Sequence, residues 1–257
     1  MRAPGVGGKD YSMPRFFVPS ENFTDNEVKI SGEDAFHIAR ALRMAVGDTL
    51  TVCDMHGAEY SCTLSRIRDE ECVCEILSKT EGRTESPLFI SLYMAYPKGD
   101  KLETVTQKAV ELGASEIVPF LSSRCVKKPK PEKADRENER LTRIAEEAAK
   151  QCGRSRLVRI LPSHSYSEAL KRAKDADAVL FCYEGDGARS LKDILSSLDD
   201  KVRSLAVIVG AEGGFSLSEV ELAREIGAHI VNLGPRILRC ETAPSYILSS
   251  ISYEFEL

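Results

Sequence analysis

From residue 86 onward, short apolar runs alternate with segments of helical periodicity, and this alternation constrains the fold more than any other feature. The runs are Phe89 to Ala95, Glu116 to Phe120, Leu157 to Leu161, Ala178 to Cys182, Leu205 to Val209 and His229 to Leu233. They are apolar along most of their length, as strands covered on both faces must be. Between them, helices are expected from Asp100 to Gly113, Ala134 to Cys152, Ser167 to Lys174, Ser190 to Ser196 and Ser216 to Ile226, with a closing helix from about Glu241. Asp100 with Glu103, and Ser216 with Glu219, have the spacing of capping boxes. Six strands with intervening helices predict an α/β domain built on a parallel, doubly covered sheet.

Upstream the pattern is different. Arg15–Val18, Leu50–Cys53, Glu59–Leu64 and Cys72–Leu77 are short period-2 runs broken by Gly47-Asp48 and His56-Gly57, which indicates a small β-barrel or sandwich over 13–84. One helix, Glu33 to Met44 with Ser31 as its cap, interrupts the strands. The second domain then covers 85–257, and 1–12 reads as a disordered extension or tag preceding Met13.

Composition narrows the function classes. No run of eighteen apolar residues exists and no apolar core follows Met1, so a cytoplasmic location and no membrane partner are expected. Eight cysteines lack any Cys-x-x-Cys pair and sit mostly beside apolar neighbours, as reduced core thiols do. The four histidines are scattered singly, so no metal is expected. Net charge is −5, yet Arg124 to Arg159 holds twelve Lys and Arg against six Asp and Glu. A basic block within an acidic chain points to a local phosphate-facing surface, although a solvated helix face would have the same composition.

Two strand runs deliver directly into glycine turns. Leu205–Val209 leads into Gly210-Ala211-Glu212-Gly213-Gly214-Phe215-Ser216, and the run ending at Asn232 leads into Leu233-Gly234-Pro235-Arg236-Ile237-Leu238-Arg239-Cys240-Glu241-Thr242-Ala243. Open α/β sheets bind ligands outside the carboxyl ends of their strands. Neither Gly-x-Gly-x-x-Gly nor a P-loop is present, and the first strand ends in Tyr96-Pro97-Lys98-Gly99-Asp100, which disfavours dinucleotides and ATP.

These two turns resemble the paired motifs of SPOUT methyltransferases, specifically the bacterial family that methylates uridine N3 in small-subunit (16S) ribosomal RNA. Met13-Pro14-Arg15-Phe16-Phe17, His37–Arg43, Lys108–Gly113, Arg124–Lys127 and Glu147–Arg154 are similar to further family motifs in the same order. Ala211 stands where the family has proline. The resemblance implies a PUA-like RNA-binding barrel before a SPOUT domain with a deep trefoil knot, a homodimer, S-adenosylmethionine as cofactor and ribosomal RNA as partner. Methylation of another base or of a ribose 2′-hydroxyl, and a non-catalytic role in ribosome assembly, are the alternatives.

By the family's pattern, the cofactor pocket is formed by Val209, Gly210, Gly213 and Gly214, by Leu233, Gly234, Ile237, Leu238 and Arg239, and by Thr242 and Ala243. Phe181, Tyr183 and Glu184 form a third wall. The catalytic candidates are Arg124, which would stabilise charge on the uridine, Glu212, a proton acceptor or a loop-binding carboxylate, and Arg239. The RNA-holding candidates are Arg124, Lys127, Arg143, Gln151, Arg154 and Arg156, with Arg15, Arg40 and Arg43 in the N-terminal domain, since guanidinium groups clamp phosphates bidentately.

Overall fold

The computed structural model describes residues 13–68, 70–126, 128–129 and 131–257. The expected extension over 1–12 and the RNA candidate Lys127 lie outside the described residues. The chain divides into two compact units, one comprising residues through Glu85 together with Lys150–Leu157, the other Ser86–Ala149 and Val158–Leu257.

In the first unit a curled five-stranded sheet runs in the order β1-β3-β4-β5-β2. Its strands are β1 Arg15–Phe17, β2 Glu27–Ser31, β3 Thr49–Cys53, β4 Ala58–Ile67 and β5 Glu71–Glu81. Register shifts at Ser61/Cys62 and Leu64/Arg66 bend the long β4–β5 pair, because a bulge adds local twist. Phe16, Val28, Ile30, Leu50, Val52 and Leu64 fill the concave side. Strand β2 was not anticipated, although Val28 and Ile30 alternate with exposed Glu27, Lys29 and Ser31.

The expected helix over Glu33–Met44 forms only as α1, Gly32–Phe36, and then widens into a π turn over His37–Ala41. Leu42 N–H donates to the His37 carbonyl at 2.9 Å, five residues back, and Arg43 ends the segment at φ 53°. Ala35 and Ile38 stay buried throughout. Ser31 makes no side-chain cap; Gly32 N–H is instead taken by the Glu70 carbonyl.

Glu85 explains why residues far along the chain belong to this unit. Its carboxylate pairs with the Arg154 guanidinium at 2.6 Å and accepts the Ser155 and Arg156 backbone N–H groups at 2.9 and 3.1 Å. Burial works to raise the Glu85 pKa, but these donors outweigh it and hold it below the usual range. Lys150 likewise pairs with Asp34 at 2.8 Å and lies over the Phe16 ring.

The second unit is an eight-stranded parallel sheet, two strands more than the six expected, because the two-residue segments His164–Ser165 and Arg189–Ser190 also pair into it. Seven strands follow the order β11-β13-β10-β12-β6-β7-β8, and β9 pairs with β7. In chain order the elements are β6 Phe89–Ala95, α2 Lys101–Glu111, β7 Glu116–Leu121, α3 Ala134–Cys152, β8 Arg159–Ile160, β9 His164–Ser165, α4 Tyr166–Ala173, β10 Ala178–Cys182, β11 Arg189–Ser190, α5 Leu191–Leu195, β12 Ser204–Val209, α6 Leu217–Glu225, β13 His229–Asn232 and α7 Thr242–Glu256. Every residue of β10 is buried, as the unbroken apolar run requires. The expected third strand shrinks to two residues, since the backbone just before it is committed to Glu85.

The capping box at Ser216 and Glu219 forms. The one at Asp100 does not, because Glu103 turns instead to Arg140, 2.8 Å away. Glu116, buried inside the sheet, is satisfied by the Ser91 hydroxyl and by Arg159 and Arg172, which makes a charge at a core position tolerable.

Candidate functional site

The carboxyl ends of β10, β12 and β13 open on one cavity of about 920 Å³. Val209 and Gly210 form one wall, Tyr183 and Glu184 a second, and the stretch from Asn232 to Cys240 a third, with Ala243 of α7 closing the pocket. The β12 loop turns tightly: Gly214 N–H donates to the Ala211 carbonyl at 2.9 Å, and Gly214 has φ +59°. At Gly210 a side chain would meet the Phe215 ring at 3.0 Å, so the backbone itself faces the cavity. Gly234, at φ +104°, turns the second loop, and its N–H donates to the Asn232 side chain. The result is a cleft of mixed character, with apolar walls, a polar backbone edge, the carboxylates Glu184 and Glu212, and the cations Lys101, Arg236 and Arg239 at its lining.

Lys101, at the start of α2, joins the two loops across this cavity. Its ammonium lies 2.9 Å from Glu212 and 3.1 Å from Glu241. Glu212 also accepts the Lys98 N–H at 3.1 Å. For Glu212, burial works upward, but Lys101 and the backbone donors prevail and bring the pKa down to about 2. A carboxylate so committed holds no proton near neutrality and makes a poor base. Of the two roles that the sequence leaves open for Glu212, these contacts favour the loop-binding one: it fastens the glycine turn to the loop after β6. Lys101 itself was not anticipated, because its partners lie more than a hundred residues away along the chain.

Arg124, on the loop after β7, packs directly on the glycine turn. Its guanidinium donates to the Gly213 carbonyl at 3.1 Å, and a Cβ at Gly213 would press on the Arg124 backbone at 3.0 Å. Gly213 therefore faces Arg124 and does not line the cavity. The same loop is held by Glu219, nearly fully buried, which accepts the Ser123 N–H at 2.7 Å and the Ser123 hydroxyl at 2.9 Å. Burial opposes ionisation of Glu219, but four donors from Ser123 and Ser216 keep its pKa low.

Other assignments shift in detail. Phe181 is fully buried beneath Phe215, ring centroids 4.3 Å apart, and props up the loop from below. Thr242 is exposed and lies outside the cavity lining, whereas Leu233, Ile237, Leu238 and Arg239 are part of it. The Arg239 carbonyl accepts the Thr242 and Ala243 N–H groups at 2.8 and 2.9 Å and so starts α7.

The basic candidates separate by burial. In the second unit, Arg124 and Arg143 are exposed; in the first, Arg40, Arg43, Gln151 and Arg156 are exposed. Arg154 is only 4% exposed and is spent on Glu85, so its assignment to RNA is corrected to a structural one. Arg15 is largely withdrawn too, paired with Glu59 at 3.0 Å and donating to the Arg154 carbonyl. A second cavity, of about 780 Å³, lies in the first unit between Gly32, Phe36, His37 and Glu70.

Family models match both units. Residues 84–252 match an RNA methyltransferase domain, and residues 30–77 an RNA methyltransferase PUA domain. Ribosomal RNA small subunit methyltransferase E of Bacillus subtilis is 38% identical over 252 residues, covering 95% of this chain and 98% of that protein. The chain belongs to the RNA methyltransferase family.

A structure of ribosomal RNA small subunit methyltransferase E from Neisseria gonorrhoeae, bound to S-adenosyl methionine, is similar with a TM-score of 0.82 and 29% identity, covering 94% of this chain and 97% of that one. The cavity thus lies wholly in the RNA methyltransferase domain. Among the described residues of this family member, no group of three or more His, Cys, Asp or Glu could hold a metal ion. No described helix is long and apolar enough to cross a membrane. Burial raises the thiols of Cys62, Cys74, Cys182 and Cys240 to about 12, so none of them offers a thiolate nucleophile near neutrality.

Proposed function

We propose that this protein transfers the methyl group of S-adenosylmethionine to N3 of a uridine in small-subunit ribosomal RNA. The observation that carries this reading is the cavity at three strand ends, edged by bare glycine backbone and walled by Val209, Leu233, Leu238 and Ala243. Its volume lies within the range of cofactor pockets. An adenosine offers an apolar ring face and hydrogen-bonding edges, and the cleft offers apolar walls with backbone polar groups. Relatives bearing the small-subunit methyltransferase name, one of them solved with the cofactor bound, support the same reading.

S-adenosylmethionine supplies an electrophilic methyl on a sulfonium, so the chain's task is placement and charge. Uridine N3 must lose its proton before or during attack, which moves negative charge onto the base. Arg124, anchored on the turn that borders the pocket, places a guanidinium to stabilise that charge. Tyr183 and Glu184 close the opposite wall, and the apolar residues of the third loop exclude water around the cofactor. The target uridine is unpaired or flipped, since a base pair would hide N3. The three pocket loops are the crossing segments of the trefoil knot implied by the family resemblance, and a homodimer in the cytoplasm is part of this proposal.

Incubation with small ribosomal subunits and labelled S-adenosylmethionine, followed by nucleoside mass analysis, tests it. N3-methyluridine is the expected product. Label on a ribose or on another base would overturn the assigned target, and lack of cofactor binding by calorimetry would overturn the enzyme reading.

A further inference from the structure

Glu219 does two things at once, and only one of them is helix capping. Its Oε2 takes the Ser216 N–H at 2.8 Å and the Ser216 hydroxyl at 3.1 Å, closing the box that starts α6. Its Oε1 takes the Ser123 N–H at 2.7 Å, and Oε2 also takes the Ser123 hydroxyl. Ser123 directly precedes Arg124, and 96 residues separate it from Glu219 in the chain. A cap has no need of a second backbone donor from so distant a loop.

We infer that Glu219 is a positioning residue for Arg124: one buried carboxylate binds the Arg124 loop and the cofactor turn together, so that the guanidinium and the pocket share a fixed geometry. Three observations converge on this. The Glu219 bonds fix the backbone one residue before Arg124. Arg124 in turn donates to Gly213, three residues before the Ser216 cap. A Cβ at Gly213 would sit only 3.0 Å from the Arg124 backbone, so the two loops are packed closely as well as bonded. Cys125, buried, folds its thiol back onto Ser122 and closes the same loop from the other side. The inference rests on the reading of the cavity as a methyl-transfer site, with Arg124 at its edge.

Two readouts test it on the full chain. The first is amide hydrogen exchange at Ser123 and Arg124. Glu219→Gln turns one acceptor into a donor, and exchange there should accelerate at least about tenfold, since a hydrogen bond to a charged group is lost. Ser216→Ala removes only the cap hydroxyl and should leave this exchange unchanged. Equal acceleration in both variants, or none in Glu219→Gln, overturns the inference. If Glu219→Gln does not fold, Ser123→Ala carries the same comparison, because it removes one donor from this carboxylate and spares the cap.

The second readout is a cycle on kcat at saturating cofactor. Glu219→Gln should slow turnover, while Glu219→Gln combined with Arg124→Ala should be no slower than Arg124→Ala alone, because Glu219 acts through that side chain. Multiplying losses would mean that Glu219 serves the fold only, and would overturn the inference. A wild-type protein that transfers no methyl group would sink the functional reading instead, and the exchange comparison would still decide whether Glu219 holds the Arg124 loop.

Discussion

At the scale of single residues, the site is organised by charges that are already spent. Lys101 lies between Glu212 and Glu241; Glu212 is held well below the usual range, and backbone N–H donation together with Lys101 also lowers Glu241. A glutamate whose pKa falls from 4.5 to about 2 contributes stability above pH 4.5, and that contribution is lost as pH drops toward 2. Cofactor affinity in the wild type should therefore show no titration from Glu212 between pH 5 and 8. Lys101→Met removes the cation and leaves two carboxylates facing each other across the loops. Calorimetry should find cofactor affinity several-fold weaker near neutrality. Glu212→Gln keeps an acceptor for Lys98 and should raise KM for the cofactor while nearly preserving kcat, as expected for a residue that shapes the pocket and carries no proton. A collapse of kcat with unchanged KM would favour the other role, that of general base.

At the scale of elements, a charge 69 residues away decides whether a segment belongs to one unit or another. Arg154→Ala leaves Glu85 largely buried with only backbone and Ser155 donors, and breaking such a pair should cost roughly 2–4 kcal/mol, measurable by urea unfolding. Little loss of stability with a large loss of RNA binding would reinstate Arg154 as an RNA contact. The same pair shows what the sequence could and could not reveal. Helix α3 was legible at both ends, because Ala134–Cys152 carries an uninterrupted amphipathic pattern with no Gly or Pro inside it. The two glycine turns were legible because buried strands deliver into them. Arg154 was not, since a guanidinium on a basic stretch reads as solvated until a distant carboxylate is found beside it. Asp100 and Glu103 had the spacing of a capping box, but Arg140 competed successfully for Glu103. Lys101 could have been suspected from position alone: it follows the carboxyl end of β6, where an open sheet gathers its ligand contacts.

At the scale of the whole molecule, an acidic protein must bind a polyanion through a minority of its surface. Net charge is −5, whereas Arg124 to Arg159 carries an excess of six positive charges. Of the cations proposed for RNA and described here, Arg40, Arg43, Arg124, Arg143 and Arg156 remain exposed. Each phosphate neutralised on single-stranded RNA releases counterions and contributes about −0.7 to the slope of log affinity against log salt. Three to five such contacts would give a slope of about −2 to −3.5, so RNA binding should weaken at least about tenfold between 50 and 200 mM salt. At the cofactor cavity Lys101 is already paired with Glu212 and Glu241, and one small ligand displaces few counterions, so S-adenosylmethionine affinity should change less over the same range. Arg143→Ala, on an exposed face of α3, should weaken RNA binding and flatten its salt slope by about 0.7 while leaving cofactor affinity unchanged. Parallel salt slopes for the two ligands, or an Arg143→Ala variant with the wild-type slope, would mean that the basic block is a solvated helix face after all, and that the RNA track lies elsewhere on the molecule.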